Sequence, residues 1–146
     1  MTSCDTNVLF PAFDSTSPQH GAARAFLADH GARDGFCLCE QVLMELYCLL
    51  RNPAVCERPL SGVEAIAVVQ ALRGNPRWRI VDVAEDSSIM AQVWSVAGGR
   101  AFAYRRIFDV RLAATLRHHG VTEFATRNRK DFGRLGFERV WDPFSR

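Results

Sequence analysis

Four carboxylates carry the chemistry this chain could perform: Asp5, Glu45, Asp109 and Asp131. Each has an ordinary structural reading. Asp5 and Asp109 could cap helices by accepting backbone amides. Glu45 could sit at a rim with its stem on the core, and Asp131 could be a first-turn acid favoured by the helix dipole. Their conjunction is harder to explain that way. Several carboxylates at one place repel, which raises their pKa values and costs stability unless a cation lies among them. Oxygen ligands of this kind suit Mg²⁺ or Mn²⁺, which keep several waters and use only a few protein carboxylates. A divalent ion beside groups that grip phosphate is a device for cutting phosphodiesters.

Whether the acids meet depends on the elements that carry them. Thr2 to Cys4 reads as a short strand, and a turn of helix from Thr6 or Asn7 is limited by Pro11. Ser17-Pro18 reads as a helix cap followed by proline at the first helical position, with Ala22, Ala23, Phe26 and Leu27 at helical spacing up to Gly31. Gly35 to Cys39 reads as a buried strand. Glu40 to Arg51 follows as a helix with Val42, Leu43, Leu46, Leu49 and Leu50 on its apolar side, stopped by Asn52-Pro53. Ser61-Gly-Val-Glu64 is a capping box opening a helix to Leu72, closed by Gly74. Trp78 to Val83 is strand-like, and Asp86 or Ser87 caps a helix through Val96 before Gly98-Gly99. Asp109 to His118 is a helix ended by Gly120, Val121 to Thr126 a strand, Asp131 to Leu135 a short turn or helix, and Phe137 to Trp141 a last strand.

Strands alternating with helices predict an α/β domain with a mainly parallel central sheet between helical layers. No repeat, low-complexity tract or linker divides residues 1–146, so the expectation is one domain. In such sheets ligands sit outside the carboxyl ends of the strands. Asp5 follows the first strand, Asp109 heads the helix before the fourth, and Asn128 and Asp131 follow that fourth strand. A parallel sheet brings these to one edge, and Glu45, one turn into its helix, can reach down to them. Asn7, Thr126 and Asn128 supply neutral hydrogen-bonding groups beside the acids.

Composition narrows the class further. Hydrophobic residues make up 48% and charged residues 23% of the chain, which is too apolar for a disordered protein. No apolar run approaches the roughly 18 to 20 residues needed to cross a bilayer, and Asp5 and Asp14 lie where a secretion signal would need apolar residues. The expected address is cytoplasmic, with no membrane partner. The five cysteines, an odd count, read as reduced residues of buried segments. Cys37 and Cys39 lack the second Cys or His pair that zinc spacing demands. A net charge of +2 does not by itself announce a nucleic-acid binder. Its make-up says more: Lys130 is the single lysine, and arginine, suited to forked contact with phosphate, supplies the remainder. Arg105, Arg106 and Arg111 form one cluster, and Arg127, Arg129, Lys130 and Arg134 another that alternates with Thr126 and Asn128. Both would rim the acidic site as phosphate-binding groups. His118-His119, at a helix C-terminus before Gly120, are favoured there by the dipole and need no catalytic role.

D-T-N after the first strand, V-L-M-E-L-Y followed by L-R-N-P, F-D-V-R-L-A-A-T-L, G-V-T-E-F-A-T-R-N-R-K-D-F and the closing V-W-D-P-F together resemble the PIN domain of VapC-type toxin ribonucleases over nearly the whole chain. The resemblance implies a three-layer α/β/α fold and a Mg²⁺-dependent endoribonuclease, the toxin half of a type II toxin-antitoxin pair. It implies that a metal-activated water hydrolyses single-stranded or loop RNA. Asp5 and Asp109 match the family's main metal-binding aspartates, and Glu45 its helical acid. Family members place a further acid at the position of Asn128, of Asp131, or both; Asn128 is neutral here, which leaves the charge to Asp131. A homodimer and a cognate VapB-type antitoxin are further implications. Two other readings compete. A haloacid-dehalogenase-type phosphatase also has an Asp after its first strand, but wants an acid where Asn7 stands and a downstream lysine, and the sole lysine, Lys130, lies beside Asp131 in a motif that already has another reading. A partner- or RNA-binding module without catalysis would have no reason to keep Asp5, Glu45 and Asp109 together.

Overall fold

The computed structural model describes residues 1–83 and 88–145. Five strands form one sheet: β1 (Thr2–Cys4), β2 (Phe36–Cys39), β3 (Trp78–Val81), β4 (Glu123–Ala125) and β5 (Arg139–Trp141). Their order is β3-β2-β1-β4-β5 and every pairing is parallel. The helices are α1 (Thr6–Leu9), α2 (His20–Gly31), α3 (Glu40–Arg51), α4 (Gly62–Arg73), α5 (Ser88–Ala97), α6 (Ile107–His118) and α7 (Arg129–Phe132), with short 3-10 turns at Phe10–Phe13 and Tyr104–Arg106. The chain order leaves β1 in the middle and departs from it in both directions, so the crevice beside β1 and β4 is where a ligand belongs.

The core explains why the sheet is two-sided. All four residues of β2 are buried, as a parallel strand covered on both faces requires. Leu43, Leu46 and Leu50 of α3 pack into the same core as Val8, Leu9, Phe36, Phe124 and Phe132. The capping box forms as the sequence demands, with Ser61 and Glu64 each satisfying the other's backbone amide. Among the described residues no helix is long and apolar enough to cross a membrane.

Three local expectations need correction. Helix α2 starts at His20, because the Ser17 hydroxyl and carbonyl accept from Gln19 and His20 and close a turn first. Helix α6 starts at Ile107, since the 3-10 turn before it feeds directly into helix, and Asp109 stands inside the first turn instead of heading it. The expectation of buried cysteines fails at Cys48, which is exposed, and Cys56 is half-buried. Cys48 falls between Leu46 and Leu50 and so faces away from the apolar stripe. The cap expected for α5 at Asp86 or Ser87 lies outside the described residues.

Candidate active site

Strand register places the first acid. β1 and β4 pair with Cys4 opposite Ala125, and the Asp5 amide continues the ladder by donating to Ala125 O at 2.9 Å. The next residue on β4's side is Thr126, whose hydroxyl donates to Asp5 Oδ2 at 2.7 Å. Asn7 Nδ2 donates to the same oxygen at 2.7 Å, and the Thr6 amide to Oδ1 at 2.7 Å. Asp5 is thus both the cap of α1 and a carboxylate fixed at the β1–β4 crevice, 8% exposed. Burial pushes its pKa up to about 6, against the Thr126 and Thr6 hydrogen bonds, and the negative charges of Glu45 and Asp109 push the same way as burial.

Glu45 reaches Asp5 through a shared neighbour. Thr6 Oγ1 donates to Glu45 Oε2 at 2.9 Å, and Gln41 Nε2 donates to Oε1 at 3.2 Å. Asp109, half-buried in the first turn of α6, has its pKa raised chiefly by burial. The charge of Asp131 adds to this, the Arg106 guanidinium opposes it, and Glu45 adds further. Asp5, Glu45 and Asp109 therefore lie within each other's fields, and Asp131 lies within that of Asp109. Among the described residues, however, no three His, Cys, Asp or Glu side chains stand close enough to enclose a metal ion.

The other expected residues divide into two groups. Asn7 Oδ1 accepts from the Arg127 amide at 3.1 Å, and Thr126 Oγ1 accepts from the Asn128 amide at 2.9 Å, so Asn7 and Thr126 tie the loop after β4 to Asp5. The Asn128 side chain is exposed and does not cap α7. Arg106 donates to Asp131 O at 2.7 Å, with its Nε buried and unpartnered among the described residues. Arg111 makes its hydrogen bonds inside the protein, to Gln41 Oε1 at 2.8 Å and Asp82 Oδ1 at 3.4 Å. Arg105, Arg127, Arg129, Lys130 and Arg134 face solvent. His118 and His119 close α6, and His119 Nε2 lies 2.9 Å from Asp82 O, away from the acids' hydrogen bonds.

Sequence reasoning passed over Thr6, Gln41 and two aromatics. The Gln41–Glu45 pair had a signal, because residues four apart share a helix face. Tyr104 (77% exposed) and Phe108 (61% exposed) flank Arg105 and lead into Asp109, and Phe108 walls an open apolar hollow of about 440 Å³ together with Glu45, Met44 and Leu49.

A family model described as PIN domain matches residues 3–138. The chain belongs to the PIN-domain family. It is 52% identical over 145 residues to the Ribonuclease VapC24 of Mycobacterium tuberculosis, covering 99% of this chain and 98% of that protein. Among solved structures it is similar to M. tuberculosis VapC20, described as a Sarcin-Ricin loop cleaving toxin, with a TM-score of 0.69 and 22% identity over 94% of this chain and 96% of the other. A chain of a toxin-antitoxin complex from Klebsiella pneumoniae gives a TM-score of 0.60 at 19% identity, covering both chains fully (100% and 100%). At these identities the two structures share the PIN-domain fold with this chain.

The donor set of this PIN domain fits a hard divalent cation. Its acids offer only oxygens, the ligands Mg²⁺ and Mn²⁺ take. Asp5 accepts three hydrogen bonds where a carboxylate has about four lone-pair sites, which leaves it able to take one more partner. The raised pKa values of Asp5 and Asp109 are a cost that a cation among them would relieve. An open arrangement is also compatible with Mg²⁺, which keeps several waters and binds through one or two carboxylates.

Proposed function

We propose that this PIN-domain chain is a VapC-type toxin: a divalent-metal-dependent endoribonuclease that hydrolyses RNA phosphodiester bonds and is held in check by a VapB-type antitoxin. The observation that carries the reading is the Asp5 carboxylate, pinned by Thr6, Asn7 and Thr126 at the sheet's switch point within the field of Glu45 and Asp109. The high identity to a protein named a ribonuclease supports it.

Asp5 and Asp109 would hold Mg²⁺ or Mn²⁺, with Glu45 and Asp131 supporting. Such an ion, when bound, lowers the pKa of water and neutralises charge that develops on the phosphate. The chain's own groups do the rest. Thr126 and Asn7 keep Asp5 Oδ2 oriented, and Thr6 links Asp5 to Glu45, so that the two carboxylates cannot turn independently. Glu45 would help hold the ion or orient the attacking water. Arg105, Arg127, Arg129 and Lys130 contact backbone phosphates on either side of the cut, and Arg106, which donates to the main-chain carbonyl of Asp131, opposes the charge of Asp109. Tyr104 and Phe108 give unstacked bases a surface, which favours single-stranded or loop RNA over duplex. The active form is a cytoplasmic homodimer.

The test is incubation of the chain with tRNA, rRNA and mRNA, with Mg²⁺ or with chelator, followed by mapping of the cut ends. Cuts at defined positions that require the metal are expected. No metal-dependent cleavage of any of the three would overturn the reading.

A further inference from the structure

Gln41 is a polar side chain only 5% exposed, in the first turn of α3, with both ends of its amide engaged. Nε2 donates to Glu45 Oε1 at 3.2 Å and to Phe108 O at 3.1 Å, while Oε1 accepts from Arg111 Nη1 at 2.8 Å. Arginine can only donate, so this contact fixes which end of the amide faces Glu45. Arg111 is in turn held from its other nitrogen by Asp82 Oδ1 at 3.4 Å, immediately beyond β3. A hydrogen-bonded line therefore runs from the carboxyl end of β3 through Arg111 and Gln41 to Glu45. Its branch ends on the carbonyl of Phe108, the residue before Asp109. One amide is joined at once to the acid of α3 and to the turn that carries the acid of α6.

We propose that Gln41 is a positioning residue that sets Glu45 against Asp109, with Arg111 locking the orientation of its amide. The proposal rests on the reading of Glu45 and Asp109 as the acids of the reaction. The amide cannot be replaced by its closest isostere. Glutamate would keep the Arg111 contact but set a carboxylate oxygen against both Glu45 and the Phe108 carbonyl. A purely structural role, in which Gln41 merely satisfies polar groups between α3 and α6, would tie the two helices without acting through Glu45.

The experiment compares the full-length chain with Gln41→Leu, which keeps the bulk and removes the amide. Two quantities are read: cleavage kinetics on a labelled RNA oligonucleotide spanning a mapped cut, and Mn²⁺ affinity of the RNA-free chain by calorimetric titration. Groups that orient ligands commonly change affinity or activity by about 10- to 100-fold, so a kcat loss of that size is expected with KM within about twofold, along with weaker Mn²⁺ binding. In a Glu45→Ala background the same change should cost nothing further, since the group it acts through is gone. Unchanged kcat and Mn²⁺ affinity would overturn the proposal, and so would an equal loss in the Glu45→Ala background. Should Gln41→Leu not fold, Arg111→Met releases the amide while keeping the arginine's stem, and wild-type kcat in that variant would also overturn it. If the wild-type chain cut no RNA, the ribonuclease reading would fail by itself, and the Mn²⁺ titration would still decide the role of Gln41.

Discussion

At the scale of a residue, Asp5 is a charge held where charge is expensive. Its pKa stands at about 6 against an ordinary 3.8, so the folded chain binds that proton more tightly than the unfolded chain. Stability from this group is greatest below the unfolded value and falls as pH rises through about 6. In the metal-free chain Asp5 accounts for a loss of about 2 kcal/mol between roughly pH 4 and pH 7. Melting the chain in chelator across that range should show the decline, and Asp5→Asn should flatten it. Added Mg²⁺ or Mn²⁺ should raise Tm most at the upper end, because an ion that binds only the folded state stabilises it by mass action. A pH profile that metal leaves unchanged would separate Asp5 from any cation. Asp5 was legible as a candidate because an acid interrupts an apolar stretch after a strand. Gln41 was not legible as a link to α6, because its partners Phe108 and Arg111 lie 67 and 70 residues away. No local pattern encodes a contact over that separation.

At the scale of an element, what matters is how each helix hands the chain to the next strand in register. Helix α6 ends with Gly120 at φ +84, where the Gly120 amide donates to Arg117 O and the Val121 amide to Leu116 O. These are the paired bonds of a Schellman cap, which requires a left-handed residue. The turn delivers β4 to β1 and hence Thr126 to Asp5. Gly120→Ala should cost about 1 kcal/mol, read as a Tm lower by about 4 °C. The strands and the helices α3 and α4 were legible because their apolar periodicity and caps agree. The start of α6 was not, since a three-residue turn at Tyr104–Arg106 has no periodicity to read and moves the helix start ahead of Asp109. Ser17-Pro18 misled for a related reason: a serine that can cap a helix can equally close the turn before it.

At the scale of the whole molecule, the all-parallel sheet with β1 at its centre brings Asp5, Glu45 and Asp109 to one edge. The parallel pairing of β1 with β4 brings Asp5 to Thr126, and the helices following β1 and β2 carry Thr6 and Glu45 to the same place. The net charge of +2 understates the positive charge offered to solvent in the two proposed RNA-binding clusters, because Arg105, Arg127, Arg129 and Lys130 are exposed while Arg106 and Arg111 spend donors inside the protein. Affinity for single-stranded RNA should therefore fall with salt, and Arg127→Ala should lower the slope of log K against log salt by about 0.7, the share of one phosphate contact. An unchanged slope would place the RNA elsewhere. Arg111→Ala should leave the slope unaltered, its guanidinium being engaged with Gln41 and Asp82.

The central claim is that Asp5 and Asp109 are the acids of an RNA-cleaving site. The most direct measurement is the rate of RNA cleavage in Mg²⁺ by Asp5→Asn and Asp109→Asn, each shown by its melting curve to be folded. Both should retain the fold and lose cleavage; metal-dependent cleavage at the wild-type rate by either one would contradict the account.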